Sequence, residues 1–398
     1  MKLTRSLLVA ILVTFFGAPA ALALDVGTAI LRIERTLPLP ISRLDLPPAD
    51  LGFAGGRLGI EDNQTTGRFI GVDFTMETRS VPPEEAAAAL DELRANQNRL
   101  IIVMADDETL AALADHAGED VLLFNATARD EALRNDECRA NVLHVVPSRA
   151  MLADAVMQFL VWKKWARMFL IFGSHPEDHL LADAYRSSAE KFGINVVEER
   201  EFVDTGGARR TDSGHVQVQR QIPVFTQRAK EHDIVLAADE ADVFAAYLPY
   251  HVWDARPVAG SAGLRAVTWH SAHEAWGATQ FQRRFERLAG RPMREEDYQV
   301  WLATRVIGEA VTRTGKSDPS AIRAYALSEK FELAAFKGQK LTFRDWNGQL
   351  RQPILLTNRH TTVSVSPQDG FLHQNSPLDT LGADRPESTC RAFEGATR

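Results

Sequence analysis

Strand-like and helix-like segments alternate along this chain in two consecutive series, and this order restricts the fold more than any other feature. In the first series, short apolar runs such as "LIIVM" (100–104) and "DVLLF" (120–124) are each followed by a helical segment. The alternation resumes after residue 148, with "RMFLIFG" (167–173) and "DIVLAAD" (233–239) as strands. Long strand–helix alternation is typical of a parallel sheet with helices on both faces. We therefore predict an α/β protein with two doubly wound, Rossmann-like lobes.

The amino terminus has the features of a secretory signal that covers residues 1–23. Lys2 and Arg5 give it a positive start, Leu7–Phe16 is a short apolar run, and "ALA" (21–23) is a small-residue cleavage site. The apolar run is short for a transmembrane helix, and a retained membrane anchor is the alternative interpretation. We expect export of the chain, removal of the signal and no membrane insertion afterwards.

The charge of the chain argues against two classes of partner. Its formal net charge is −8, and this becomes −10 when Lys2 and Arg5 leave with the signal. An acidic balance disfavours both nucleic acid and anionic membrane surfaces as partners. We expect the protein to be a monomer whose partner is a small-molecule ligand.

The chain contains two cysteines, Cys138 and Cys390. In an exported protein such a pair can form a disulfide, which here would hold the carboxy-terminal tail to the body of the protein. Two free, buried thiols are the alternative.

Sequence motifs of common enzyme classes are missing. The chain has no GxSxG nucleophile elbow, no P-loop and no GxGxxG fingerprint. His175 and His179 lie four residues apart in "HPEDH", but a third metal ligand is not evident and the HExxH order is absent. We predict a protein that is not an enzyme, with no catalytic cofactor and no metal site.

The start of the second series carries a family resemblance. "VWKKWARMFLIFG" (161–173), followed by "ADAYRSSAEKFGINVVEEREF" (182–202), resembles the type I periplasmic solute-binding proteins of ABC transporters, in particular the branched-chain amino acid-binding group. The resemblance extends over nearly all of the mature chain. It implies a hinge that joins the two lobes, a ligand cleft between them, a periplasmic location and an ABC permease as partner.

Two loops depart from the amino acid binders. The serine-rich loop of that group is replaced by "ADDET" (105–109), and the loop "DTGGARRTD" (204–212) is expanded and carries Arg209 and Arg210. These departures put an amino acid ligand in doubt.

Other stretches resemble the binding proteins associated with PQQ-dependent alcohol oxidation. They are "CRANVLHVVPSRAMLADAVMQFLVWKKWARMFLIFG" (138–173) and "AVTWHSAHEAWGATQFQRRF" (266–285), together with the tail cysteine. This resemblance implies that the bound ligand is pyrroloquinoline quinone (PQQ) or a compound of that oxidation pathway. It also implies a PQQ-dependent dehydrogenase as a further partner. The alternatives are an amino acid or small carboxylate ligand, or a sensor beside the dehydrogenase without a transport role.

The expected division of the chain follows from this organisation. Lobe 1 is expected to comprise 24–148 and about 271–336, and lobe 2 to comprise 149–270 and about 337–365. Within the latter, "KLTFRDWNGQLRQPILLT" (340–357) predicts a β-hairpin with Asn347-Gly348 as a type I′ turn. Residues 366–398 are predicted to be an irregular, exposed tail.

Candidate ligand-binding residues follow from strand order, because ligands of open parallel sheets lie beyond the carboxyl ends of the strands. PQQ is a flat aromatic molecule with three carboxylates, so it calls for arginine forks and for aromatic side chains that stack on it. Arginines in these loops would bind the carboxylates, the tryptophans would stack, and His270 could donate or accept a hydrogen bond. The candidates are Asp106, Asn125, Thr127, Arg149, Ser174, His175, Arg209, Arg210, Asp239, Trp269, His270 and Trp276.

Several of these candidates also have a structural interpretation. Arg149 could cap or pair locally at its helix start, and Arg209-Arg210 could be a solvated turn. Trp269 and Trp276 could both be packing residues.

Overall fold

The computed structural model of this chain describes residues 24–35, 40–42, 45–205 and 217–394. The predicted signal (1–23) lies outside the described residues, and so do Arg209 and Arg210. The predictions for these residues remain predictions.

The first half of the chain forms a parallel sheet. Its elements are β1 (Leu24–Ile33), α1 (Phe53–Ile70), β2 (Val72–Val81), α2 (Ala86–Ala95), β3 (Leu100–Met104), α3 (Asp107–Ala117), β4 (Leu122–Asn125) and β5 (Val142–His144). The strands lie in the order β2-β1-β3-β4-β5. Helices α2 and α3 cover one face of the sheet and α1 covers the other. Strand β3 is buried along its whole length, which explains its unbroken apolar sequence.

The second series forms a second parallel sheet, as predicted. Its elements are α4 (Arg149–Lys163), β6 (Arg167–Gly173), α5 (Pro176–Phe192), β7 (Asn195–Phe202), α6 (Val218–Thr226), β8 (Ile234–Ala238), α7 (Leu248–His251) and β9 (Val258–Gly260). The strand order is β7-β6-β8-β9. Helices α4 and α5 pack on one face, and α6 and α7 pack on the other.

The remaining elements complete both lobes. They are β10 (Arg265–Val267), α8 (Ala278–Ala289), α9 (Glu295–Thr314), α10 (Pro319–Ala326), β11 (Leu333–Ala334), β12 (Lys340–Phe343), β13 (Leu350–Arg351), β14 (Ile354–Thr357) and β15 (Thr362–Ser366). Strands β10, β14 and β15 form an antiparallel sheet. Helices α8, α9 and α10 pack in the same core as α1. No helix in the described ranges is long and apolar enough to cross a membrane.

Two local predictions need correction. The alternating pattern of "FIGVDFTM" (69–76) predicts a strand that begins at Phe69, but α1 continues to Ile70 and β2 begins only at Val72. Gly71 separates the two elements by adopting the left-handed conformation (φ 71°) that ends a helix without steric cost.

The predicted hairpin is present between β12 and β13, but its turn is different. Of the Asn347-Gly348 pair, Gly348 has a positive φ (67°) and Asn347 does not. A type I′ turn needs a positive φ at both central residues. The connection instead spans 344–349, and it is closed by the Arg344 amide, which donates to the Gln349 carbonyl.

The core residues show where the chain changes lobes. One core contains the inward side chains of the first sheet with α8–α10, and the other contains α4, α5 and the second sheet. Within the described residues, the chain passes between these cores at 145–151, 266–269 and 350–354, and the tail passes back at 381–390. Leu341 and Leu350, which the expected division assigns to lobe 2, pack in the core of the first lobe.

The carboxy-terminal tail is irregular but not exposed as predicted. Leu378, Leu381 and Phe393 are buried, and Cys390 forms a disulfide with Cys138. The tail packs because it carries apolar side chains at intervals, which the overall Pro/Ser/Asp-rich composition conceals.

Candidate functional site

The carboxyl edges of the two sheets meet at Arg149. This residue is the first of α4, directly after the chain enters the second lobe. Its guanidinium contacts Glu240, which follows β8 in the second lobe, and Asp107, which follows β3 in the first. One side chain therefore joins the two edges where parallel sheets place their ligands.

The Arg149 guanidinium is held as a fork. Its Nε and Nη2 donate to the Glu240 carboxylate at 3.1 Å and 2.9 Å, and Nη1 lies 3.5 Å from Asp107 Oδ2. The residue is 8% exposed. Burial lowers its pKa, but Glu240 and Asp107 outweigh this and raise the pKa above the ordinary value. Arg149 is therefore a permanent cation whose charge the protein already balances.

The amino terminus of α4 is also occupied. The Arg149 amide donates to the Arg129 carbonyl, and the Met151 amide donates to the Ser148 side chain. The Ala150 amide donates to Glu131 Oε1 at 2.8 Å. A carboxylate of the first lobe thus fills the position where a helix terminus favours an anion.

A second ion pair lies nearby. Glu295, the first residue of α9, accepts the Thr268 amide at 2.8 Å and lies 3.8 Å from Arg129. Because Thr268 is where the chain returns to the first lobe, Glu295 fixes this passage. The strand-order rule did not find Glu295, because it acts from a helix start rather than from a strand end.

Tyr185 of α5 lies among these charges. Burial raises the pKa of its hydroxyl, and Glu240 raises it further, whereas Arg265 and Arg129 lower it. The hydroxyl is therefore protonated at neutral pH. The spaced tyrosine of "ADAYRSSAEKFG" was the available sequence signal, but it entered the prediction only as a mark of family resemblance.

Asp178 sets the position of the Glu240 loop. It is fully buried, and its Oδ1 accepts the amides of Glu240 and Ala241 at 2.6 Å and 3.1 Å. Its Oδ2 accepts the amide of His175 at 3.3 Å. One carboxylate therefore holds two of the loops at the carboxyl edge of the second sheet.

Four of the predicted ligand residues use their side chains to hydrogen-bond the backbone of the loops in which they lie or of neighbouring loops. Asp106 caps α3 by accepting the Thr109 amide, and Thr127 donates to the Ala105 carbonyl. The Asn125 side chain is buried and contacts the Ala128 carbonyl, the amides of 127–128 and His144. Asp239 accepts the amides of 243–245. These groups therefore fix the loops at the carboxyl edges of the two sheets through contacts with the loops' own backbone.

Ser174 and His175 hold the start of the loop that carries Arg209 and Arg210. The Asp204 amide donates to Ser174 Oγ at 3.0 Å, and His175 Nε2 lies 3.0 Å from Asp204 Oδ2. Asp204 follows β7, so the loop leaves the carboxyl edge of the second sheet.

The pairing with Asp204 raises the pKa of His175, with burial opposing it. Its contribution to stability should be complete below the unfolded pKa of about 6.5 and should be lost as pH rises through the raised folded-state value. We expect thermal stability measured between about pH 5 and pH 8 to show this loss, and His175→Gln to flatten it. The effect should be small because the side chain is partly exposed. Identical pH profiles for the two proteins would contradict the assignment.

The aromatic candidates have different environments. Trp269 is 2% exposed and stacks on Tyr298 with ring centroids 4.9 Å apart, while its Nε1 donates to Gln282. It is a core residue, so its ring is not presented to a ligand. Trp276 is 53% exposed and has a positive φ of 52°. His270 is half-buried, and burial with Arg265 lowers its pKa, so it is a neutral donor or acceptor.

Metal-ligating side chains do not gather in the part of the chain that the structure describes. His175 pairs with Asp204, and His179 lies 3.7 Å from Glu201. The two histidines of "HPEDH" thus face different acidic partners.

Comparisons with known proteins bear on this arrangement. The sequence profile of a family described as periplasmic binding protein matches residues 55–212. A comparison with curated proteins finds no match.

Solved structures match over most of the chain. A branched-chain amino acid ABC transporter periplasmic ligand-binding protein from Burkholderia xenovorans has a TM-score of 0.71 at 16% identity, covering 92% of this chain and 100% of that one. A substrate-binding protein from Desulfitobacterium hafniense in complex with Leu has a TM-score of 0.65 at 15% identity, covering 85% and 99%. A solute-binding protein from R. palustris in complex with 4-hydroxybenzoate has a TM-score of 0.61 at 12% identity, covering 86% and 96%.

These similarities agree with the strand orders, the helix layers and the repeated passage of the chain between two cores. The family profile runs from within α1 of the first series to beyond β7 of the second. The chain therefore has the α/β fold of the type I periplasmic binding proteins.

Proposed function

We propose that this protein is a periplasmic solute-binding protein of an ABC-type system, and that its lobes close by hinge motion on a small anionic ligand. The observation that supports this most is Arg149, which contacts acids of both lobes at the facing carboxyl edges. Binding rather than catalysis is the proposal, since the structurally similar proteins are named as binding proteins.

A carboxylate is the ligand group that Arg149 fits best. Leu and 4-hydroxybenzoate, found in two of the similar structures, both carry one. Arg149 keeps one N–H on each Nη without a partner among the described residues. A planar fork with free donors can bind a carboxylate oxygen beside its present partners.

PQQ is our proposed ligand, in support of PQQ-dependent alcohol oxidation. Its remaining carboxylates would need further cations, and Arg129, whose carbonyl accepts the Arg149 amide, lies beside that residue. The positive charges of Arg129 and Arg265 also act on Tyr185. Arg209 and Arg210 follow Asp204 along the chain and would add to them. Of the two tryptophans among the candidates, Trp276 is the exposed one and would supply the stacking face. An ABC permease or a PQQ-dependent dehydrogenase would receive the ligand, and a sensor role without transport is the alternative.

The acids beside Arg149 favour a second candidate. Glu240 and Asp107 could take an ammonium group while Arg149 takes a carboxylate. This mixed charge suits a zwitterionic amino acid better than a ligand with negative charges alone.

Fluorescence titration separates these ligands. The chain has seven tryptophans, one of them in the exposed position 276. We expect PQQ to quench the intrinsic fluorescence with 1:1 stoichiometry, and leucine and 4-hydroxybenzoate to give weaker responses or none. Saturable binding of leucine without PQQ binding would instead identify an amino acid binder.

The loop arginines have their own test. Replacing both Arg209 and Arg210 by alanine should weaken PQQ binding by about tenfold or more, since each lost charge-assisted hydrogen bond is worth about 1.5–3 kcal/mol. Alanine at both Arg139 and Arg186, which form surface ion pairs, is the matched control. Equal affinities for the two double variants would remove the loop from the site.

A further inference from the structure

A short segment of the tail is held by both lobes at once. We name Leu378–Cys390 the strap; its first part, 378–383, lies between β12–β13 of the first lobe and α4–α5 of the second. The strap is a further crossing between the lobes, separate from the passages at 145–151, 266–269 and 350–354.

The grip from the first lobe comes from Arg344, which follows β12. Its Nη2 donates to the Leu381 carbonyl at 2.6 Å and to the Leu378 carbonyl at 3.3 Å, and Nη1 donates to the Ala383 carbonyl at 3.1 Å. Its Nε donates to Asp379 Oδ1 at 3.0 Å. Asp379 is buried and also pairs with Arg351 at 2.8 Å, directly before the chain enters the second lobe.

The grip from the second lobe comes from Asp154 on α4. This buried carboxylate accepts the Gly382 amide at 2.7 Å and pairs with Lys191 of α5 at 2.8 Å. Lys191 Nζ also donates to the Gly382 carbonyl at 2.9 Å. The Leu381 side chain completes the attachment, because it lies in the core of the second lobe.

The far end of the strap is fixed to the first lobe covalently. Cys390 is bonded to Cys138, and Thr389 donates to Asp136. Phe393, just beyond the strap, packs in the core of the first lobe. Gly382 and Cys390 are therefore anchored on different lobes, with the intervening chain beside the hinge.

We propose that the strap restrains the motion of the two lobes and that the Cys138–Cys390 disulfide keeps it in place. Rotation of one lobe against the other displaces Arg344 relative to Asp154, so the hydrogen bonds of one grip must break or the strap must move. With the disulfide intact, the strap cannot detach from the first lobe and its polar grips re-form readily. Without the disulfide, the strap can leave its position between the two lobes, and their motion is then no longer restrained.

Hydrogen exchange of the ligand-free, full-length protein tests this directly and does not depend on which ligand binds. In the variant with Cys138→Ser and Cys390→Ser, we expect amides of the strap and of the passages at 266–269 and 350–354 to exchange about tenfold faster. Amides of β3 and β8, in the centres of the lobes, should keep their rates.

A second variant reaches the strap without touching the disulfide. Arg344→Lys keeps the charge but loses the fork that holds three carbonyls. It should accelerate exchange in the same peptides, whereas Arg186→Lys on the second-lobe surface should not. Faster exchange confined to the strap, with unchanged passages, would overturn the proposal. Faster exchange of all amides, including those of β3 and β8, would also overturn it. That result would mean that the disulfide and Arg344 stabilise the whole fold rather than restrain the lobes.

Discussion

Arg149→Gln is expected to weaken PQQ binding by about 100-fold, the loss of two charge-assisted hydrogen bonds of about 1.5 kcal/mol each. The glutamine amide retains polarity but neither the charge nor the fork. It also leaves Glu240 and Asp107 facing the cleft without their common cation, so their repulsion of an anionic ligand adds to the loss. Calorimetric titration of the purified variant measures the effect.

Arg186→Gln is the matched control for this prediction. Arg186 also forms a fork with a glutamate, Glu199, but on the outside of the second lobe. The Arg186→Gln protein should bind PQQ with the affinity of the unmodified protein. A folded Arg149→Gln protein with unchanged affinity would show that this guanidinium serves only to pair the lobes.

Arg134→Met is expected to lower the free energy of unfolding by about 2–6 kcal/mol, because two acceptors, the Gln349 side chain and the Asp130 carbonyl, lose their donor at about 1–3 kcal/mol each. Arg134 donates to the Gln349 side chain and to the carbonyls of Asp130, Ala128 and Val146. Burial lowers its pKa to about 10, so it remains charged at neutral pH. Methionine fills similar space but donates nothing to Gln349 or Asp130, whereas Asn125 and Gln349 still donate to the carbonyls of Ala128 and Val146.

Chemical denaturation measures this cost, with Arg139→Met as the control. Arg139 lies in the same lobe, but its partner Asp115 is exposed, so its loss should cost about 1 kcal/mol or less. Similar losses for the two variants would mean that Arg134 is not an organising residue of the passage at 145–151.

The order of strands and helices was enough to predict most of the fold from the sequence. Apolar runs such as "LIIVM" are long enough for a strand buried on both faces, and their spacing leaves room for one helix each. Boundaries were less accessible from sequence. The end of α1 at Ile70 depends on one glycine, and Phe69 and Ile70 have strand-like side chains although they complete a helical turn.

The candidate site was harder to predict because polar residues at strand ends have two uses. Asp239 and Asn125 lie where the strand-order rule places ligand residues, yet their oxygens are used by neighbouring amides. Sequence position cannot show whether a side chain turns toward its own loop or toward the cleft. The same holds for Trp269, which follows a strand but packs into the core.

Contacts between residues far apart in the sequence were the second feature of the site that could not be predicted. Arg149 could be placed in the cleft by strand order, but its partners Glu240 and Asp107 lie 91 and 42 residues away. The strap likewise depends on contacts between Asp154 and Gly382, 228 residues apart. Such contacts follow from the relative position of the lobes, and the local pattern of either segment does not contain them.

Closure of the lobes on a ligand is the central claim, and small-angle X-ray scattering of the full-length protein measures it most directly. Scattering is recorded without ligand and with saturating PQQ, with the Arg149→Gln protein measured in parallel. We predict that PQQ reduces the radius of gyration of the unmodified protein and leaves that of the variant unchanged at the same concentration. An unchanged radius of gyration at a PQQ concentration that saturates the fluorescence signal, or the absence of any binding, would contradict this account.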